Sequence, residues 1–556
     1  MKRYSIFIIL IFITFIGLTL RITGLTWGLS TSKYFHAASY YPDESEVLKA
    51  YQGINPRKLN FRLNTDTVQI KGTFQPYLMA VWIKLASIFN IVEIYSSFDY
   101  YKNNPNELVK LYVTGRSFSV FFGIATIILL FFIGKIFYGN NKIGLLAAFF
   151  LAITPLHIIY SHYIVTDILL TFLTTVVLIL SYYIYKEASI KIYIITGLLM
   201  GLTGATKYSI FPLVIIPILA HILSKNKILD KRLLFYILFI PLGFFIGNPY
   251  SILEPQTFLA SLKYSKKINI TLNPSTNPLD CFGPQNNLIF YLITAPKYSF
   301  GIPLSLFFLC GIIFAFIKRE KMDILILLWI IIYLLFIGIM SPWKVLRWQM
   351  PYIPLLCILS ARFIMSVLKN AKKHIRFSMI TAVFAVSITT LFYSLAYLKM
   401  MTEKDIRDES SEWIEQNIPE GKKIAVTDVY FWNPSIVMTL YWYTETEPFY
   451  TGIKKYKIYQ TGWGDIEKLN KINSDYVILS DFEYYPILKL KDKYPHPELM
   501  PYLEKIMKSD EYKLIKKFEK KPELFGIVSA GGFLPHELRM LNPTILIYKK
   551  QTGAGR

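Results

Sequence analysis

Eleven apolar runs dominate the first four hundred residues. They lie at Tyr4–Leu20 and near 116–138, 142–160, 166–185, 190–206, 208–223, 233–248, 299–317, 323–340, 350–368 and 376–398. Each approaches the roughly 20 residues that a membrane helix needs. The first run follows Lys2 and Arg3, has no small-residue cleavage site behind it, and reads as a signal anchor. Residues 21–115 are polar apart from an amphipathic helix expected at Pro76–Asn90. After Met400 the period changes. "EKDIRDESSEWIEQNIPEGKKIAVTDVY" reads as a helix, a turn at Pro419–Gly421 and a strand, and 474–480 and 542–550 read as buried strands. The pattern predicts a polytopic α-helical membrane protein with about eleven transmembrane helices over 1–398. A soluble α/β domain follows over 399–556.

Composition agrees, with 53% hydrophobic residues in 556. The formal net charge of +23 would suggest nucleic acid in a soluble chain. Here the cations belong to the connectors, so no nucleic-acid partner is expected and membrane lipids are. Gly134–Lys142, 185–191, 224–232, 318–323 and 369–376 carry most of the short-loop Lys and Arg. The positive-inside rule makes these connectors cytoplasmic, along with the N-terminus, provided that 76–90 lies on the membrane and does not cross it. Parity then puts 21–115, 160–166, Lys207, 249–298, 341–349 and everything after about 399 outside. Cys310 and Cys357 sit in apolar runs and Cys281 is alone, so no disulfide or zinc pattern arises. The Lys- and Ile-rich, Cys-poor composition fits the plasma membrane of a prokaryote.

The outside segments hold the candidate chemistry: Asp43, Glu44, His162, Asp167, Lys207, Asp280, Lys344 and Arg347. Asp43 and Glu44 are adjacent and point to different sides, so one can face a reacting group while the other binds a metal or fixes the loop. Asp167 opens the run at 166–185, where an acid also favours the helix dipole. His162 lies at the same rim and suits a metal, a substrate or the interface. Lys207, Lys344 and Arg347 stand opposite the side where positive-inside places most cations. Besides snorkelling to lipid phosphates, they suit a bound phosphate anion, for which Arg offers a planar fork. Trp343, Trp348 and Tyr352 fit an aromatic belt or a sugar platform. Asn269-Ile270-Thr271 is a glycosylation sequon.

Several segments in this order resemble the GT-C class of membrane glycosyltransferases, in particular the protein O-mannosyltransferase and aminoarabinose transferase group. They are "YPDESEVLKA" (41–50), "FQPYLMAVWIKLASIF" (74–89), "GRSFSVFFGIATIILLFFIGKIFYG" (115–139), "LAAFFLAITPLHIIYSHYIVTDILLTF" (146–172), "GLLMGLTGATKYSIFPLVIIPIL" (197–219), "GNPYSIL" (247–253) and "VLRWQMPYIPLLCILSA" (345–361). The resemblance runs to about residue 400. His162 departs from it, since many relatives carry Arg there. The zinc-binding His of some aminoarabinose transferases has no counterpart.

The resemblance implies a polyprenyl-phosphate-linked sugar donor, a hexose such as mannose, and transfer on the non-cytoplasmic face to a protein, glycan or lipid hydroxyl. It makes Asp43 the catalytic acid of the family, Glu44 its partner and Asp167 the second rim acid. The expected reaction is inverting, with Asp43 as general base and Glu44 as support. Lys207, Lys344 and Arg347 would hold phosphate, with Asp167 and His162 touching substrate. A divalent metal (Mg, Mn or Zn) at Glu44 and Asp167 is compatible with this scheme. A transporter or lipid-sugar flippase is the alternative, although no internal repeat is visible and the acids lie at rims.

Overall fold

The computed structural model describes residues 3–551 except 32, 64–70, 96, 188, 225–229, 272–285, 341–342, 429–430, 439–448, 451–455, 463, 491–498 and 529–533. Asp280, Cys281 and parts of the 185–191 and 224–232 connectors therefore lie outside the described residues. So do the side chains of the sequon.

Every apolar run is helical. Among the described residues six helices are long and apolar enough to cross a membrane: those within Tyr4–Ile22, Pro105–Tyr138, Thr166–Lys186, Lys321–Ile339 and Leu346–Asn370, and the one starting at Lys373. A seventh arises if Asn141–Ile153 and Pro155–Ser161, bent by 62° at Thr154-Pro155, count as one span. Ile190–Thr206, Tyr208–Leu223, Lys231–Gly247 and Ile302–Lys318 are shorter. At 1.5 Å per residue such a helix covers only about 25 Å. The chain is thus a multi-pass membrane protein, and only some of the eleven expected helices have full spanning length.

Two features set the geometry of the rim. At the 62° break, Arg21 donates to the carbonyls of Leu151 (3.2 Å) and Ala152 (3.0 Å) and to His157 Nδ1 (2.7 Å). These contacts stabilise carbonyls that a continuous helix would have used. Beyond the break, 155–161 turns toward the start of the 166–186 helix. Elsewhere Ile190–Thr206 packs on Lys231–Gly247 with the backbones in close approach at Gly197, Gly201 and Gly243. A Cβ on Gly201 would lie 2.2 Å from the Ile240 carbonyl oxygen. Close backbone approach through small residues is a common way for membrane helices to associate.

The polar segments are more structured than loops. Residues 21–115 contain helices at Pro42–Ala50, Phe74–Ile88 and Phe98–Asn103, and the long helix that follows already begins at Pro105. The 249–298 segment contains the helix Pro255–Thr271.

The C-terminal α/β domain holds a six-stranded mixed sheet: Lys423–Val426 (β1), Phe449–Tyr450 (β2), Lys457–Gln460 (β3), Tyr476–Ser480 (β4), Tyr512–Phe518 (β5) and Ile545–Lys550 (β6), in the order β2-β3-β1-β4-β6-β5. β1 runs parallel to β3 and β4, and β6 runs antiparallel to β4 and β5. Successive side chains of a strand face opposite ways. Accordingly Ile478, Ile545 and Ile547 pack with Ile406 and Ile414 of the helix Ile406–Asn417. Val477, Leu479 and Leu546 pack with Leu469, Leu503 and Ile506 on the other face. Both faces are covered, so β4 is buried throughout. Asp405 caps the Ile406–Asn417 helix by accepting from the Arg407 N–H (2.9 Å).

Candidate active site

Asp43 sits in the first turn of the Pro42–Ala50 helix. Its Oδ1 is 3.0 Å from Lys71 Nζ and its Oδ2 is 2.9 Å from Arg347 Nη1. Burial alone would raise the Asp43 carboxyl, but Lys71 and then Arg347 outweigh it and hold it well below the usual carboxylate range. Lys71 reaches this place because Gly72 follows it. Gly72 has φ +135°, and a Cβ there would lie 2.5 Å from the Thr206 carbonyl oxygen. Only glycine permits both the dihedral and the approach.

That approach brings the Lys71 turn beside Lys207, the residue after Thr206. Lys207 Nζ is 2.8 Å from Asp167 Oδ1 and stands 5.8 Å from the Trp348 ring centroid. Arg347 Nε lies 4.0 Å from Asp167 Oδ2. It is buried and has no hydrogen-bond partner among the described residues. Arg347 Nη1 also donates to the Tyr41 hydroxyl, and the Tyr41 ring stacks on Tyr163 at 4.2 Å. Two carboxylates and three cations thus form one partly exposed cluster built from distant chain segments.

Glu44 points the other way and is fully buried. Arg116 grips it through Nε (2.9 Å) and Nη2 (2.6 Å), while Ser39 Oγ (2.5 Å) and the Ile164 N–H (2.9 Å) donate to it as well. Arg116 also donates to the Leu25 and Trp27 carbonyls, both at 2.7 Å. Glu44 therefore ties the Asp43 helix to the 105–138 helix and to the turn before Asp167. His162 is also buried, with Nδ1 2.9 Å from the Ile158 carbonyl and Nε2 2.8 Å from the Thr23 carbonyl. Lys344 is buried three residues before Arg347. Of the expected site residues, Asp43, Asp167, Lys207 and Arg347 converge, and Glu44 and His162 brace the segments behind them.

Lys71, Tyr41 and Arg116 enter the picture only through the structure, as does Glu537 of the C-terminal domain, which accepts from the Leu346 N–H beside Arg347. Arg116 had a signal, as a charge at the mouth of an apolar run. Tyr41 adjoins Pro42-Asp43. Nothing local distinguished Lys71 or Glu537.

A groove of about 1480 Å³ runs along the same Pro42–Ala50 helix, lined by Leu48, Tyr77, Val81, Leu85, Leu108 and Tyr112 among others. Its wall includes Ser45, two residues from Asp43, and it carries Lys49 and Lys84 at its edges.

The donor set bears on the metal. Among the described residues no group of three or more His, Cys, Asp or Glu is gathered. Glu44 has both oxygens committed, and Asp43 and Asp167 are already matched by three cations. These residues fit an anion better than a divalent cation.

The family model described as dolichyl-phosphate-mannose-protein mannosyltransferase matches residues 69–261. Among solved structures, the apo oligosaccharyltransferase of Archaeoglobus fulgidus superposes with a TM-score of 0.50 at 13% identity, covering 91% of this chain and 73% of that one. The fold is of the GT-C glycosyltransferase type. ArnT of Cupriavidus metallidurans, bound to undecaprenyl phosphate, superposes with a TM-score of 0.48 at 11% identity, covering 97% of both chains. The Archaeoglobus protein in complex with Zn and sulfate gives 0.47 at 13% identity, covering 89% and 70%. No curated protein matches the chain by sequence. The family match spans the segment with Lys71, Arg116, Asp167 and Lys207.

Proposed function

We propose that the protein is an inverting glycosyltransferase that moves a hexose, with mannose the leading candidate, from a polyprenyl-phosphate donor to an acceptor hydroxyl of a protein, glycan or lipid. The reaction would run on the non-cytoplasmic face of a prokaryotic plasma membrane, with the C-terminal domain on that side. One observation carries the reading: Lys71, Lys207 and Arg347 meet at one rim, where Arg347 Nε is buried without a hydrogen-bond partner among the described residues. A phosphate there would satisfy that nitrogen and draw the cations away from Asp43 and Asp167. The adjoining apolar groove suits an isoprenoid chain.

The same exchange prepares the base. While Lys71 and Arg347 grip Asp43, its carboxylate is a poor proton acceptor. Once they turn to the phosphate, its basicity recovers. Asp43 then takes the proton of the acceptor hydroxyl as that oxygen attacks the anomeric carbon opposite the phosphate. The carbon–oxygen bond to phosphate breaks, and polyprenyl phosphate leaves as an anion held by the three cations. Glu44 and His162 keep the surrounding backbone in place. The ionisable groups stand at helix ends, as a rim enzyme needs, whereas transporters place theirs near mid-membrane.

The test is transfer from labelled polyprenyl-phosphate mannose by the purified protein, supplied with membranes of the source cell as acceptor. The wild type should transfer and Asp43→Asn should fall by about 10²–10⁴-fold. An unchanged Asp43→Asn rate would remove Asp43 as base, and no transfer from any polyprenyl-phosphate sugar would end the reading.

A further inference from the structure

The C-terminal domain reaches the rim through a buried carboxylate. Glu537, in the short helix His536–Arg539, is 4% exposed. Its Oε2 accepts from the Leu346 N–H, and its Oε1 accepts from the Tyr160 hydroxyl and, at 3.4 Å, from the Arg347 N–H. Leu346 and Arg347 open the 3₁₀ turn that continues as the 353–370 helix, and Val345 before them supplies no side-chain cap. The first N–H groups of a helix have no partner of their own, and an anion beside them also meets the positive end of the dipole. Here a carboxylate 190 residues further along the chain fills that role. Burial pushes the Glu537 carboxyl up, and Arg347 pulls it down.

The same domain holds the opposite wall. Tyr40, the neighbour of Tyr41, donates to Asp408 at 3.0 Å and pairs with Ser435 at 2.5 Å. Arg407 lies 4.1 Å from the Tyr40 ring centroid. One body therefore grips the backbone that bears Arg347 and the backbone that bears Tyr41, the hydroxyl to which Arg347 donates.

We propose that Glu537 is a positioning residue for the donor phosphate, pinning the first turn of the 346–370 helix so that the Arg347 guanidinium faces the rim. This rests on the phosphate-binding role given to Arg347 above. The test is a double-mutant cycle on the full-length protein in detergent, titrated with undecaprenyl phosphate and read by tryptophan fluorescence. Glu537→Gln should weaken binding about ten-fold. Arg347→Gln should weaken it further, and the double variant should bind no more weakly than Arg347→Gln alone. Additive losses would mean that Glu537 does not act through Arg347 and would overturn the inference, as would unchanged binding by Glu537→Gln. Unchanged binding by Arg347→Gln would instead remove the phosphate role itself, and the inference with it. Should Glu537→Gln not fold, Tyr160→Phe replaces it in the cycle. Tyr160→Phe should lose binding a few-fold when Arg347 is intact and nothing further when combined with Arg347→Gln, and any other pattern overturns the proposal.

Discussion

Adjacent acids illustrate how one residue step divides chemistry from architecture. Asp43 faces cations at a partly open rim, while Glu44 is sealed in with Arg116. Removing one partner of a buried ion pair costs about 3–5 kcal/mol, because the other charge stays behind. Glu44→Gln should therefore lower the thermal unfolding midpoint markedly. Asp43→Asn should lower it less, since its ion pairs face a partly open rim, while cutting transfer by about 10²–10⁴-fold, and equal loss of stability in both variants would contradict this division. The ion pairs of Asp43 hold its folded-state carboxyl below the unfolded value. Its contribution to stability is therefore complete above the unfolded pKa, about 4, and is lost as pH falls below that. Above about pH 5, changes of activity with pH should not trace to Asp43 in the resting enzyme.

At the scale of elements, glycines and one buried acid make the sharpest demands. Gly201→Leu should separate the Ile190–Thr206 and Lys231–Gly247 helices, since the added atoms fall on the Ile240 carbonyl. A loss of folded protein on size exclusion would register it, and a normal profile would refute it. Gly72→Ala should keep the fold but move Lys71, raising the concentration of polyprenyl phosphate needed for half-saturation. In the C-terminal domain, Glu483 follows β4 and accepts from Thr427, from Trp432 Nε1 (3.0 Å) and from the Ser480 N–H (2.7 Å). Burial raises its carboxyl to about 7 in spite of these donors. A raised carboxyl contributes stability that is complete below the unfolded pKa, 4.5, and lost as pH climbs through 7. The wild type should thus lose about 3 kcal/mol between those limits from this group. Glu483→Gln should flatten the dependence, and an unaltered pH profile of unfolding would show that Glu483 is not its source.

For the molecule as a whole, the proposed chemistry requires Asp43, Arg347 and the C-terminal domain to share one side of the bilayer. With the three native cysteines replaced by serine, single cysteines at Lys58 and Lys508 should both react with a membrane-impermeant maleimide in intact cells. Cysteines at Lys318 and Lys373 should react only after lysis. Labelling of Lys58 and Lys508 from opposite sides would dismantle the site.

How much was legible follows the range of the forces involved. Apolar runs declare membrane helices because every backbone polar group in lipid must be satisfied within its own segment, a local requirement. Short apolar runs rich in β-branched residues and bounded by turn formers declared β4 and β6, again from local pattern alone. The acid at 43 and the cations at 207 and 347 were readable as outliers against that background. What tertiary structure decided was partnership. That Glu44 meets Arg116, that Gly72 carries Lys71 to the rim, and that Glu537 caps the turn bearing Arg347 depend on segments brought together from distant parts of the chain. Ion pairs and caps of this kind form wherever packing brings donor and acceptor within about 3 Å, and no local pattern records where that will be.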